Sequence, residues 1–308
     1  MSRIHEALKK AEQERASVPV SDVVAFQPDP AIGRPSDRAD DGTAAHDILV
    51  SATTGVHPGG DYLRFEDLVA RCSRPQWRLD PGANVFFNES LSPQAAEQFR
   101  TLRSRLYEIR KAQPLRSLLV TSALPAEGKT FVTSNLAQAF VRQPDHRVLI
   151  IDADLRRSRL HIPLGAPSAP GLTEYLRGDA DVVSVIQHGH EGNLCLIPGG
   201  AEASNPSELL LNGRLQALLA HVAPVFDWVI LDSPPCLPVA DSSVLAGLCD
   251  GVVLVVRAAS TPAEVAQRAC QELEGRNLVG VVLNGTKDGA GYASYYYQRY
   301  GEDGKGEE

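Results

Sequence analysis

Gly128, Lys129 and Thr130 stand together in the loop ALPAEGKT, residues 123–130. The spacing fits G-x-x-x-x-G-K-[ST], with Ala123 in place of the first glycine. Gly128 lets the backbone approach phosphate oxygens closely. The loop amides and the start of the helix that follows offer N–H donors and a positive dipole end. Lys129 is placed to reach the outer phosphates, and the Thr130 hydroxyl to ligate Mg²⁺. We therefore expect ATP with Mg²⁺, its phosphates over Pro125, Ala126, Glu127, Gly128, Lys129, Thr130 and Phe131. Two further runs end in acid. VLIIDADLRR places Asp152 and Asp154 after an apolar stretch, and WVILDSPP does the same for Asp232. In an open α/β sheet, ligands sit beyond the carboxyl ends of strands, where all three carboxylates would reach a phosphate-bound metal.

Those residues need strands and helices to hold them. Apolar runs rich in Val, Ile and Leu occur at 117–122, 147–152, 194–198, 228–232, 251–257 and 279–284. Most are continuous rather than alternating, as strands buried on both faces read. Helical patterns fill the intervals at 130–142, 206–221, 240–248 and 262–274. A further helix follows Ser92, its expected N-cap, with Pro93 in the first position. Alternating β and α units imply an α/β fold: a three-layer, mostly parallel sheet flanked by helices.

The 308 residues carry a net charge of −8, with 43 % apolar and 22 % charged residues. That composition can bury a core. An acidic chain repels a phosphate backbone, so nucleic acid is not an expected partner. Cys72, Cys195, Cys236, Cys249 and Cys270 are scattered without C-x-x-C spacing, which fits neither a disulfide framework nor a zinc site and suits a reducing cytosol. No apolar run approaches the roughly 20 residues of a membrane helix, and the opening MSRIHEALKKAEQERA has no signal-peptide core. Residues 1–16 hold Ile4, Ala7, Leu8 and Ala11 at helical spacing and read as an amphipathic helix, either a docking element for a partner or a marginal helix that frays. Residues 17–90 read as a flexible linker or N-terminal extension, 91–285 as the catalytic domain and 286–308 as a tail. The tail concentrates Tyr292, Tyr295, Tyr296, Tyr297 and Tyr300, five of eight tyrosines, among glycines and acids.

ALPAEGKT, LIIDADLR and VILDSPP together resemble the three nucleotide motifs of the bacterial tyrosine kinases, or BY-kinases. The resemblance runs from about residue 91 to 285 and extends to GLTEYLRG at 171–178, NPSELL at 205–210 and the strand ending at Asn284. Arg157-Ser158 departs from the basic residue and proline common in the second motif. The resemblance implies a P-loop NTPase fold and an autokinase that phosphorylates its tyrosine cluster in trans, regulating exopolysaccharide or capsule polymerisation and export. It implies catalytic roles for Lys129, Asp152, Asp154, Asp232 and Arg156. Thr130, Asp152 and Asp232 would hold the metal, Asp152 or Asp154 would accept the phenolic proton, and Asn284 would contact adenine. Glu97, Arg100 and Arg103 would join subunits in a ring. The implied partners are a membrane polysaccharide co-polymerase adaptor and a tyrosine phosphatase, at the inner face of the cell membrane. A partitioning or division-site ATPase is the main rival, but those carry a lysine where this loop has Leu124. A non-catalytic assembly factor gated by nucleotide is the other.

Overall fold

The computed structural model describes residues 64–87, 93–189 and 192–286. The helix expected near the N-terminus, Ser92 and the tyrosine cluster lie outside the described residues. Among the described residues, seven strands form one sheet: β1 (Ser117–Ser122), β2 (Val148–Asp152), β3 (Gln187–His188), β4 (Leu194–Ile197), β5 (Trp228–Asp232), β6 (Gly251–Arg257) and β7 (Leu278–Asn284). Their order is β3-β4-β2-β5-β1-β6-β7, and only β3 runs antiparallel to its neighbour.

The continuous apolar runs are explained by two separate cores. Along β1, Leu118 and Val120 enter one core while Leu119 enters the other. Along β2, Val148 and Ile150 face one way, Leu149 and Ile151 the other. Alternate side chains of a strand point to opposite faces, so a sheet covered on both sides must be apolar at every position.

On one face lie α2 (Pro93–Ala112) and α3 (Lys129–Val141). Trp228 of β5 stacks on Phe140 of α3 with ring centroids 4.2 Å apart, and Tyr107 of α2 meets both edge-on. This aromatic group ties α3, the helix that follows the phosphate loop, to the centre of the sheet. The other face is covered by α5 (Leu172–Arg177), α7 (Pro206–Leu211), α8 (Arg214–Val222), α9 (Asp241–Ala246) and α10 (Ala263–Glu272). Two single-turn helices, α4 (His161–Leu164) and α6 (Val182–Val185), complete the connections.

Three features depart from expectation. The pattern at 206–221 is two helices, because Gly213 adopts φ +79° and breaks the path between α7 and α8. The short strand β3 was not legible as a strand. Most consequentially, residues 64–87, expected within a flexible linker or N-terminal extension, are packed on both faces of the sheet. Helix α1 (Phe65–Arg71) buries Phe65 and Leu68 in the core of one face, while Phe86 enters the core of the other. Between them, Ser73 bridges to Gln187, His188 N donating to the Ser73 carbonyl at 2.8 Å, so the segment straps the β3 edge. Asn135, buried in α3, grips the far end of the strap: Val85 N donates to its Oδ1 at 2.9 Å and its Nδ2 donates to the Ala83 carbonyl at 2.8 Å. The domain thus begins well before residue 91.

If the strap belongs to the cooperative unit, Leu68→Ala should cost about 2–5 kcal/mol in urea denaturation of the full chain, the usual range for a buried leucine. A loss below about 1 kcal/mol would place the strap outside that unit.

Candidate active site

The parallel register decides what meets what. Asp152, last residue of β2, pairs directly with Asp232, last residue of β5. Strand β1 lies on the other side of β5, with Val120 opposite Asp232, so the loop leaving β1 rises beside both carboxylates. Helix α3 then begins at Lys129 behind Gly128 (φ +96°). Its first turn carries no acidic residue and no side-chain cap, leaving the amide dipoles at that end uncompensated.

Thr130 Oγ1 donates to Asp232 Oδ2 at 2.6 Å. The second oxygen, Oδ1, is buried without a hydrogen-bond partner among the described residues. Burial, then the neighbouring Asp152 charge, pushes the Asp232 carboxyl up to about 8, against opposing pulls from Thr130 and the Lys129 ammonium. Asp152 is also raised, by burial first, although Ser158 Oγ and Leu160 N donate to its Oδ2 at 2.7 and 2.9 Å. Asp154 is half-buried, and its carboxyl too is raised by burial, with Lys129 opposing. Together these form a buried acidic pair with an unsatisfied oxygen beside a lysine, a hydroxyl and a helix N-terminus.

A cleft of about 600 Å³ opens above the pair, lined among others by Lys129, Thr130, Asp154 and Arg156. Of the residues expected under the phosphates, Pro125, Ala126, Gly128 and Phe131 reach it as well. Glu127 does not. Its buried carboxylate turns inward, accepting from Leu124 N at 2.7 Å and from the Thr261 hydroxyl, so it shapes the loop instead of facing the ligand. Asn284 serves the loop as well: its Nδ2 donates to the Glu127 carbonyl at 2.9 Å. A Cβ added at Gly128 would collide with that carboxamide, a second reason for glycine there besides its positive φ. Arg257 Nη1 completes the collar by donating to the Ala126 carbonyl at 3.0 Å.

Arg156 is anchored. Its Nε and Nη2 donate to Asp241 at 2.7 and 3.3 Å, and Nη2 to Ser207 Oγ at 2.8 Å; Ser207 Oγ in turn donates to Asp241 Oδ1 at 2.6 Å. Burial alone would raise Asp241, but the Arg156 and Ser207 hydrogen bonds outweigh it and hold the carboxyl below its ordinary value. Asp241, Ser207 and Thr261 were not singled out in the sequence, and Ser158 was noted only as a departure from the second motif. NPSELL contains Ser207, but nothing in the order of residues links it to Asp241.

Glu97 and Arg100 pair within α2 at 3.2 Å on its exposed side. Arg103 instead points inward, Nη1 donating to the Ala139 carbonyl at 2.6 Å, where it braces α2 against α3.

Asp232 gives a sign to the pH dependence. Its carboxyl is raised from 3.8 to about 8 in the fold, so it disfavours folding progressively as pH rises through that window and does so fully above it. Asp232→Asn should therefore stabilise the nucleotide-free chain at pH 8, by about 1–3 kcal/mol, and flatten its stability between pH 5 and 8 in thermal melts. A variant no more stable than the wild type at pH 8 would show that the pair carries no such strain.

No protein-family model matches the chain. It is 40 % identical over 256 residues to the tyrosine-protein kinase Etk of Escherichia coli (strain K12), a match covering 82 % of this chain and 35 % of that protein. The chain thus spans about a third of that relative's length. It is 34 % identical over 194 residues to the tyrosine-protein kinase YwqD of Bacillus subtilis (strain 168), covering 62 % of this chain and 81 % of YwqD. Among solved structures, the kinase domain of the E. coli tyrosine kinase ETK superposes with a TM-score of 0.60 at 39 % identity, covering 62 % of this chain and 76 % of that one. With most of YwqD matched, and the phosphate loop and paired strand-end aspartates assembled on the fold of a solved kinase domain, this chain belongs to the bacterial tyrosine kinase family.

Proposed function

We propose that this chain is an ATP-dependent protein-tyrosine autokinase that phosphorylates its own cluster at Tyr292, Tyr295, Tyr296, Tyr297 and Tyr300 in a neighbouring copy. The observation that carries this reading is the Thr130–Asp232–Asp152 arrangement at the start of α3, where a buried oxygen lacks a partner among the described residues and burial raises both carboxyls. Buried acids in that state favour a cation, so the residues fit Mg²⁺. Thr130 would hold it together with Asp232 and Asp152, directly or through water. Among the described residues no cluster of three or more His, Cys, Asp or Glu forms a metal cage. That suits an ion most of whose ligands are phosphate and water oxygens. When bound, Mg²⁺ would offset the charge of the outer phosphates.

The chain's own groups divide the remaining work. The amides of residues 124–130 and the α3 dipole cradle the phosphates, and Lys129 neutralises charge on the transferring group. The phenolic oxygen forms its bond to the γ-phosphorus as the bond to the β-bridging oxygen breaks and ADP departs. A phenol of pKa near 10 needs an acceptor for its proton. Both oxygens of Asp152 are engaged within the protein, whereas Asp154 lines the cleft with a raised carboxyl, so we assign the proton to Asp154. Arg156, fixed by Asp241 and Ser207, orients the phosphoryl group or the acceptor. Asn284 contributes by holding the phosphate loop, with adenine contact as its further role.

Trans reaction calls for self-association, and we propose a ring in which Glu97 and Arg100 contribute from the exposed side of α2, with Arg103 bracing that helix. Each phosphate adds roughly −1.5 to −2 charges, so several on one tail would repel and disperse the ring. No helix among the described residues is long and apolar enough to cross a membrane. We place the chain in the cytoplasm, held at the inner membrane face by a polysaccharide co-polymerase adaptor and reset by a tyrosine phosphatase, where it regulates exopolysaccharide or capsule polymerisation and export.

Incubated with MgATP, the full chain should gain phosphate mass on the peptide spanning residues 292–300. Lys129→Met should lower that rate roughly 100-fold or more, as loss of a transition-state charge contact does. Full phosphorylation of the Lys129→Met chain, read by intact mass and anti-phosphotyrosine blot, would overturn the assignment.

A further inference from the structure

The cleft extends past the phosphate loop along the turn that follows β2, lined there by Asp154, Arg156, Arg157 and Arg159. The turn from 154 to 160 is pinned at three points: Asp154 Oδ1 accepts from Arg157 N at 3.1 Å, and Asp152 Oδ2 accepts from Ser158 Oγ and Leu160 N. The carboxylates of the metal end therefore also fix the turn that carries three arginines. Arg156 is spent on Asp241. Arg157 and Arg159 both line the cleft, are exposed, and make no ion pair or side-chain hydrogen bond among the described residues. Beside them the wall turns apolar, with Phe131, Pro163 and Ile162, the last 53 % exposed.

Two guanidinium groups without an ion-pair partner among the described residues, next to an apolar wall whose exposed member is Ile162, suit an aromatic ring followed by carboxylates. Arginine prefers carboxylate partners and presents its donors in a fixed fork. In the sequence, Tyr300 is followed by the adjacent acids Glu302 and Asp303, set between Arg299 and Lys305, whereas no acid follows Tyr292, Tyr295, Tyr296 or Tyr297 within three residues. An extended chain advances roughly 3.3 Å per residue, so those acids would lie roughly 7–10 Å beyond the tyrosine, within the span of a cleft this size. Building on the kinase reading above, we propose that Arg157 and Arg159 form an acceptor-selecting site. It seats the Tyr300 region of a second copy, ring against Ile162 and Pro163, carboxylates on the two arginines, and makes Tyr300 the preferred acceptor.

The test uses the full chain with its five cluster tyrosines changed to phenylalanine, supplied with MgATP and a synthetic peptide of residues 292–308. A second peptide carries Glu302→Lys and Asp303→Lys. The chain with Arg157 and Arg159 intact should favour the acidic peptide roughly three- to tenfold, expressed in KM and fading at high salt, the scale of two partly exposed ion pairs. Arg157→Glu combined with Arg159→Glu should reverse the preference toward the lysine peptide, an outcome that a misfolded variant cannot produce. Mass mapping of the unaltered chain at early times should find Tyr300 modified first. Equal use of both peptides by the chain with its arginines intact, or a preference unmoved by charge reversal, would overturn the proposal and assign the arginines to the nucleotide's own phosphates. If a fluorescent ATP analogue binds but neither peptide is phosphorylated, the kinase reading itself fails, and the selecting site falls with it.

Discussion

Two carboxylates held side by side in a dry place govern the rest of this structure. Parallel pairing of β2 and β5 sets Asp152 directly against Asp232, roughly 4.8 Å away across the ladder. Neither can ionise freely without cost, because burial and mutual repulsion act together. The surroundings relieve this only in part. Thr130, Ser158 and the Asp154 and Leu160 amides satisfy four of the lone-pair directions, and among the described residues one oxygen of Asp232 is left without a partner. A site in that condition gains by taking up positive charge, so what weakens the empty fold favours the loaded one.

The same economy runs through the neighbouring groups. Asp152 organises the arginine-bearing turn as well as the strand tip, and Asp154 anchors the Arg157 amide while facing the cleft. The phosphate loop is held from outside by a collar drawn from distant parts of the chain: Thr261 and Arg257 at the end of β6 and the start of its connection, and Asn284 at the end of β7. Ala126 and Gly128 both take positive φ inside that collar. A non-glycine residue there is strained, and the hydrogen bonds around it keep the strain in place. The strap from 64 to 87 contributes from the opposite side, covering the β3 edge and gripping α3 through Asn135. The helix that begins with Lys129 is thus fixed at both ends, by the loop collar and by the Trp228–Phe140 stack.

Much of this was legible from residue order. A glycine-lysine-threonine run between a strand and a helix, and acids closing two apolar runs, need no partner from elsewhere to be recognised. Strands buried on both faces announce themselves by unbroken Val, Ile and Leu. The local signals at Gly213 and at Gln187–His188 were weaker: one glycine decides whether two turns join, and a two-residue strand has too few positions to show a period.

By itself, then, the sequence determined the layered fold, the glycine-lysine-threonine loop between a strand and a helix, and the placing of Asp152 and Asp232 at strand ends, since each is encoded in contiguous residues whose periodicity or spacing carries the physics. Only the tertiary structure decided that Glu127 and Asn284 serve the loop, that Arg103 turns inward, that Asp241 and Ser207 hold Arg156, and, among the described residues, which oxygen is left unsatisfied and that Arg157 and Arg159 stay unpaired. Those outcomes depend on register between strands far apart in the chain and on competition among donors for the same acceptors. Neither has a local signature, because hydrogen-bond satisfaction is settled only once every neighbour is in place.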